Sequence, residues 1–296
     1  MSPEPFGRRA AAMITPFRSD GALDPVGARR LAAHLVDRGG CDALVLNTAV
    51  GEGATTSDAE KSALLRAVAA EVGDRAALTA AVGGTGGTRQ AGELARACEE
   101  AGAVGLLLSP PGEPRTTPEQ AAHHLGTVAD ATSLPVLLHH TPAPPGAAAL
   151  PVRTLLGLAQ HPRVRGVVDG GHDLLAPGLV LASSGLACYS GSDERNLALR
   201  ALGAHGWVST VANVAGPLVW AVLDAFDRGD HAEAARRHLV LLPLVDAVLS
   251  ATSGAVAVKA LFAAAGLPGG PVRGPLLPAD GTLTERLTEA LRTAAG

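Results

Sequence analysis

Eight short, nearly unbroken apolar runs alternate with longer stretches of helical periodicity. The runs fall at residues 10–15, 42–46, 76–82, 103–108, 134–138, 164–168, 186–190 and 206–209. Runs this short and this continuously apolar suit strands covered on both faces, which is the environment of a parallel sheet. The stretches between them, 24–38, 58–72, 88–101, 118–131, 151–160, 174–184 and 194–201, repeat apolar residues at helical spacing, and Ser57 stands as a cap before the second. Eight such units predict an α/β chain folded as a (β/α)8 TIM barrel. A doubly wound sheet is the alternative, but no Gly-rich dinucleotide loop follows a strand. After Asn213 only helical patterns remain, at 217–228, 231–250, 256–265 and 282–295. The expected organisation is a barrel over 1–215 and a helical region over 216–296, in one structural unit. With 47% apolar residues but only 2% aromatic ones, the core has to be built from Ala, Val and Leu.

Several function classes are disfavoured at once. A net charge of −4 gives no electrostatic footprint for nucleic acid or an anionic membrane. The N-terminal residues carry no apolar run of signal length, and no uninterrupted apolar stretch suits a membrane span. Cys41, Cys98 and Cys188 are odd in number and widely spaced, which implies neither a disulfide framework nor a metal site and fits a reduced cytoplasm. Thr85-Gly86-Gly87-Thr88 lacks the Lys-Ser/Thr of a phosphate loop and reads as a helix-entry turn. No cofactor is expected. Only Lys61 and Lys259 are lysines.

Thr15-Pro16-Phe17 with Asp20-Gly21, Gly51-Glu52, Glu99-Glu100-Ala101-Gly102-Ala103, Ser109-Pro110-Pro111, Ser190-Gly191-Ser192-Asp193, Val211-Ala212-Asn213-Val214, Val258-Lys259-Ala260 and Gly270-Pro271-Val272-Arg273 occur in this order over nearly the whole chain. Together they resemble the dihydrodipicolinate synthase and N-acetylneuraminate lyase family of class I aldolases. The resemblance implies a barrel enzyme that works on small molecules and forms homo-oligomers. It also exposes departures. Where the family carries the lysine that forms an imine with a keto acid, this chain has Val168. Its proton-shuttling tyrosine is replaced by His139. Two threonines before Gly-Glu are replaced by Ala49 and Val50. A tyrosine pair after the fourth strand is replaced by Gly112-Glu113, and a carboxylate-binding arginine by Pro144.

Imine chemistry needs an amine that is neutral part of the time at a strand end. Lys61, on a helix, is expected to be exposed, and Lys259 to lie among the C-terminal helices. The remaining candidates are the polar residues at strand ends. His139 is the expected general acid or base, because imidazole titrates near neutrality. Asp169 could orient His139 or His172, ligate a metal, or simply cap a loop. His172 is a new functional group or a tolerated loop change. Thr48, Ala49, Val50, Glu52, Glu113, His140, Val168, Ser192, Asp193 and Asn213 are expected around the substrate. Strand alternation turns His140 toward the helical layer or the turn, and Glu52 is expected to hold backbone amides. His139, Asp169 and His172 are suitable metal ligands by type, but no helical spacing supports a metal and none is expected. His123-His124 reads as an exposed helix face. Two functions remain open: a lyase-class enzyme using acid–base rather than imine chemistry, and an inactive scaffold that binds a ligand or partner.

Overall fold

The computed structural model describes residues 6–84, 86–112, 116–141, 150–251 and 253–296. Eight parallel strands close into a barrel in sequence order. They are β1 (Arg9–Ala12), β2 (Ala43–Leu46), β3 (Ala77–Gly83), β4 (Gly105–Ser109), β5 (Val136–His140), β6 (Val164–Asp169), β7 (Ala187–Ser190) and β8 (Gly206–Ser209). β8 pairs with β1 to close the ring, with Ala10 opposite Val208. Seven helices fall between them: α1 (Pro25–Asp37), α2 (Asp58–Val72), α3 (Thr88–Glu100), α4 (Pro118–Asp130), α5 (Val152–Leu158), α6 (Leu175–Ser183) and, after a 3-10 turn at Asp193–Arg195, α7 (Asn196–Ala201). Every expected strand and helix is present. β5 runs two residues further than the apolar run predicted, so both His139 and His140 lie in the strand.

Period-two alternation sorts the strand residues into two layers. Ala12, Val45, Leu107, Leu137, Val168 and Tyr189 pack inside the barrel. Leu44, Leu46, Leu106, Leu108, Leu138 and Val167 face the helices. The helices start where the sequence offers caps. Ser57 and Glu60 form a reciprocal capping box at α2, and Thr117 and Gln120 form another at α4. Gly87 caps α3, in keeping with a helix-entry turn; Thr85 lies outside the described residues. The His123-His124 expectation needs correction. His123 is exposed, but His124 is buried, and its Nδ1 shares a 2.9 Å hydrogen bond with Thr88 Oγ1. The pattern misled because position 124 falls on the apolar stripe of α4.

The helical remainder comprises α8 (Ala212–Asp227), α9 (His231–Leu249), α10 (Gly254–Ala265) and α11 (Gly281–Ala295). The expected division at 215/216 falls inside α8, at its one non-helical residue, Ala215. α8 packs on α9 and on β1, so it completes the barrel's helical ring as well as opening the C-terminal bundle. The bundle then reaches back. Lys259 on α10 donates to Glu52 Oε1 at 2.6 Å and to the Pro271 carbonyl at 2.7 Å, and the Arg273 backbone N–H donates to Glu52 Oε2 at 2.7 Å. Phe17 lies beneath both cations, with Lys259 Nζ 4.3 Å and Arg273 Cζ 4.0 Å from its ring centroid. No single helix among the described residues is long and apolar enough to cross a membrane.

Two stability predictions follow from this junction. Gly270 sits at φ +64°, and a Cβ there would lie 1.8 Å from the Phe17 carbonyl oxygen. Gly270→Ala is therefore expected to destabilise the fold by about 3 kcal/mol or more, read as a lowered denaturation midpoint. The second concerns Glu60. Hydrogen bonds from Arg273, foremost, and from Ser57 hold its carboxyl down at about 2, against an ordinary 4.5. A depressed acid stabilises the fold above its unfolded pKa and loses that contribution as pH falls toward its folded one. Glu60→Gln is expected to cost about 1 kcal/mol at pH 7, after solvent screening of a partly exposed pair. That gap should close as pH falls from 4.5 toward 2; a gap independent of pH would contradict the assignment.

Candidate active site

A cavity of about 320 Å³ opens at the C-terminal mouth of the barrel. Strand ends and the loops after them build such sites, because each strand delivers one inward side chain at the rim. Five of the expected residues line it: Thr48, Ala49, Val50, His139 and Val168. Ala49 and Val50 come from the β2–α2 loop. Among the described residues, that loop carries the two non-glycine residues with positive φ, Asn47 at 64° and Glu52 at 54°. Such backbone is held only where its surroundings over-determine it. Here the buried Glu52 carboxylate, gripped by Lys259 and Arg273, pins the loop. Glu52 thus holds one backbone amide, as expected, and in addition an ammonium. It does not line the cavity.

His139 and Val168 are register partners on β5 and β6 and point into the barrel together. His139 Nδ1 shares a 3.1 Å hydrogen bond with Ser109 Oγ at the end of β4. Burial is the main force that pushes the His139 imidazole down to about 4, with the neighbouring His140 adding to the shift and Asp169 opposing it. The ring is therefore neutral at physiological pH, able to accept a proton at one nitrogen or donate from the other. Val168 is 1% exposed and contributes only methyl groups to the wall.

The other expected residues lie elsewhere. His140 turns away from the barrel interior, as strand alternation requires, and its Nδ1 is 2.6 Å from Asp169 Oδ1. Asp169 also faces Arg195, whose Nη2 is 2.9 Å from Oδ2. Asp169 therefore orients His140, rather than His139 or His172, and ties β5 and β6 to the turn after β7. His172 is exposed on the loop after β6. Among the described residues, no three His, Cys, Asp or Glu converge to hold a metal ion, so His139, Asp169 and His172 do not form one centre. Ser192 Oγ contacts Glu194 Oε1 at 2.5 Å. Asp193 is buried, which pushes its carboxyl pKa up. It accepts from Ser209 Oγ at 2.5 Å and from the Thr210 and Val211 amides at 2.9 Å each, staples that hold the start of α8. Asn213 donates to the Ala12 carbonyl at 2.8 Å and accepts from Ile14 N–H at 3.3 Å, tying α8 to β1. These polar residues were legible as strand-end groups, but their side chains satisfy buried backbone and carry load between elements. Glu113 and Pro144 lie outside the described residues.

The cavity also takes in residues the sequence reading did not place there. Lys61 is 8% exposed, not solvent-facing, and lines the wall where α2 meets α3. Its Nζ donates to Asp58 Oδ1 at 3.1 Å, and Gln90 Nε2 donates to Asp58 Oδ2 at 2.8 Å. Helical position alone suggested exposure; the sidewall between two barrel helices is what buries it. Ser109 was quoted only as part of Ser-Pro-Pro, though its parity with the inward-facing Leu107 marks it as the polar residue at the top of β4. Cys41, Cys98 and Cys188 are buried, and burial pushes each thiol up to about 12, far from the thiolate a nucleophile needs.

Comparison with known proteins agrees with this architecture. The chain is 51% identical over 287 residues to 4-hydroxy-tetrahydrodipicolinate synthase 1 of Streptomyces coelicolor, covering 97% of this chain and 93% of that one. A second synthase of the same organism is 46% identical over 285 residues, covering 96% and 93%. The crystal structure of a dihydrodipicolinate synthase from Bacillus anthracis superposes with a TM-score of 0.91 at 30% identity, over 97% of this chain and 98% of that one. The model of the Dihydrodipicolinate synthetase family matches residues 5–294, and the chain belongs to that family.

Proposed function

We propose that this protein is a lyase of the family that turns over a small molecule in the barrel-mouth cavity by acid–base chemistry, without a lysine imine. Aldol or retro-aldol cleavage, dehydration and cyclisation are the reaction types that such chemistry serves. The reading rests on Val168. β6 contributes a valine beside His139, at the position where the family resemblance calls for an amine. Neither lysine of the chain stands on a strand. Lys259 is enclosed between Glu52 and the Pro271 carbonyl, and burial lowers its pKa against the opposing pull of Glu52. Lys61 is paired with Asp58 on a helix. Membership of the family, and relatives named as synthases, support the lyase class and a small-molecule substrate. His139 is the proposed acid–base group, with Thr48, Ala49, Val50 and Val168 shaping the substrate's surroundings. No cofactor is called for.

Two measurements test this. Incubation with pyruvate and borohydride, followed by intact mass, is expected to leave the chain unmodified; a reduced adduct on Lys61 or Lys259 would restore the imine mechanism. A thermal-shift panel of 2-oxo acids and hydroxy acids is expected to raise the midpoint of the wild type for at least one ligand class, by mass action. His139→Ala should lose that shift and any turnover of the same compound.

A second reading, an inactive barrel that binds a ligand or a partner, draws on the joint replacement of the imine lysine, both threonines and the tyrosine. Turnover abolished by His139→Ala would sink it. A homo-oligomer is part of the same proposal. Leu174, Leu175 and Leu179 stand 42%, 71% and 42% exposed at α6, an apolar strip suited to self-association. Light scattering at micromolar concentration is expected to give a mass above that of the 29.6 kDa monomer.

A further inference from the structure

Ser109 and His139 form the one hydrogen bond between two cavity-lining side chains on neighbouring strands, β4 and β5, among the described residues. Each has one partner there, the other. The imidazole is neutral, so only one of its nitrogens carries a proton, and which one it is decides what the cavity receives. The hydroxyl settles the choice. A serine O–H has a single proton to donate, and the only protein acceptor within its reach among the described residues is His139 Nδ1. Were Nδ1 protonated, it would donate to Oγ and leave the hydroxyl proton without a protein acceptor among the described residues; the opposite arrangement moves the one unpaired donor to the ring's other nitrogen, where a ligand in the cavity can accept it. With Ser109 donating to Nδ1, the ring proton sits on Nε2. Among the described residues that nitrogen has no protein partner, and it is not sealed within the packing, so it can meet a ligand.

The geometry points to Ser109 as a positioning residue that locks His139 in its neutral Nε2–H form, so that His139 meets the ligand as a hydrogen-bond donor to a carbonyl oxygen. This deepens the lyase reading and rests on it for the ligand, while the tautomer stands without it. It names the substrate class as small carbonyl compounds. It also gives the cavity a way to polarise a carbonyl where Val168 leaves no amine to convert it to an iminium. A neutral imidazole makes an effective donor of this kind because it can hold the developing oxyanion without first being ionised.

The test is a long-range proton–nitrogen spectrum of the uniformly 15N-labelled full chain at pH 7, with the His139 ring identified by its loss in His139→Gln. The expected pattern is an unprotonated, pyridine-type Nδ1 and a protonated, pyrrole-type Nε2. Ser109→Ala should mix the two forms, and Ser109→Thr should restore the single one. The reverse order of nitrogens in the wild type, or ring signals unchanged in Ser109→Ala, overturns the lock. Should Ser109→Ala fail to fold, the wild-type pattern and Ser109→Thr still decide. Pyruvate, added as the carbonyl probe, is expected to move the Nε2 signal more than the Nδ1 signal. A correct tautomer with Nε2 indifferent to saturating pyruvate overturns the carbonyl role. Because the tautomer is read without ligand, failure of the lock is distinguishable from failure of the lyase reading.

Discussion

The Glu52–Lys259 ion pair is the contact on which the cavity depends. Both side chains are buried, 0% and 4% exposed, and they join residues 207 positions apart. Removing two charges from water is expensive, and the attraction between them repays it only when their remaining hydrogen-bonding capacity is met. Here it is met on both sides. Glu52 Oε2 takes the Arg273 amide, and the ammonium takes the Pro271 carbonyl and the face of Phe17. The pair therefore does more than add stability. It fixes Glu52 at positive φ and so sets the path of the β2–α2 loop, whose Thr48, Ala49 and Val50 form one wall of the cavity. Deleting one partner would leave a buried charge alone, which is worse than losing the pair as a whole. The C-terminal bundle is thus the buttress of the site, although none of its described residues lines the cavity.

Rigidity at one wall contrasts with chemical spareness at the other. β5 and β6 bring an imidazole and a valine side by side, and the low polarity that valine helps create is what keeps the imidazole uncharged. The two residues are coupled through the dielectric. A lysine at 168 would place an ammonium next to His139 and push its pKa further down. Each residue makes sense in the environment that the other produces.

How much of this was legible beforehand depended on what each residue is paired with. The eight apolar runs announced the barrel because a strand buried on both faces leaves a mark on every residue. The motifs behind the family resemblance looked unconnected along the chain, yet Phe17, Glu52, Lys259, Gly270 and Arg273 prove to touch one another at a single junction. Polar residues at strand ends were harder to read. His139 and His140 differ by one position, and alternation correctly sent one inward and one outward. Asp169 is where the reading failed, because a carboxylate's partner is a matter of three-dimensional register: His140 and Asp169 are opposed across β5 and β6, and Arg195 arrives from beyond β7. Asp193 and Asn213 were misplaced for a related reason. They lie at the mouth, but their polar atoms face backbone that would otherwise be buried unpaired. Lys61 eluded a helix-based argument because exposure on α2 is decided by α3 beside it.

Under the proposed mechanism, a hydrogen bond in place of an imine would also limit the chemistry available. A protonated imine places a full positive charge in conjugation with the carbon that becomes a carbanion. A single preorganised neutral donor is worth roughly 3–4 kcal/mol in comparable sites, to judge from the loss when one is removed. Under that proposal, turnover would be easiest for substrates whose carbanion is already stabilised, for instance by a second carbonyl. It also places a premium on dryness, since the donor's strength falls as water competes for the same oxygen. The methyl groups of Val50 and Val168 line the cavity, at positions where the resemblance calls for a polar threonine and a charged lysine.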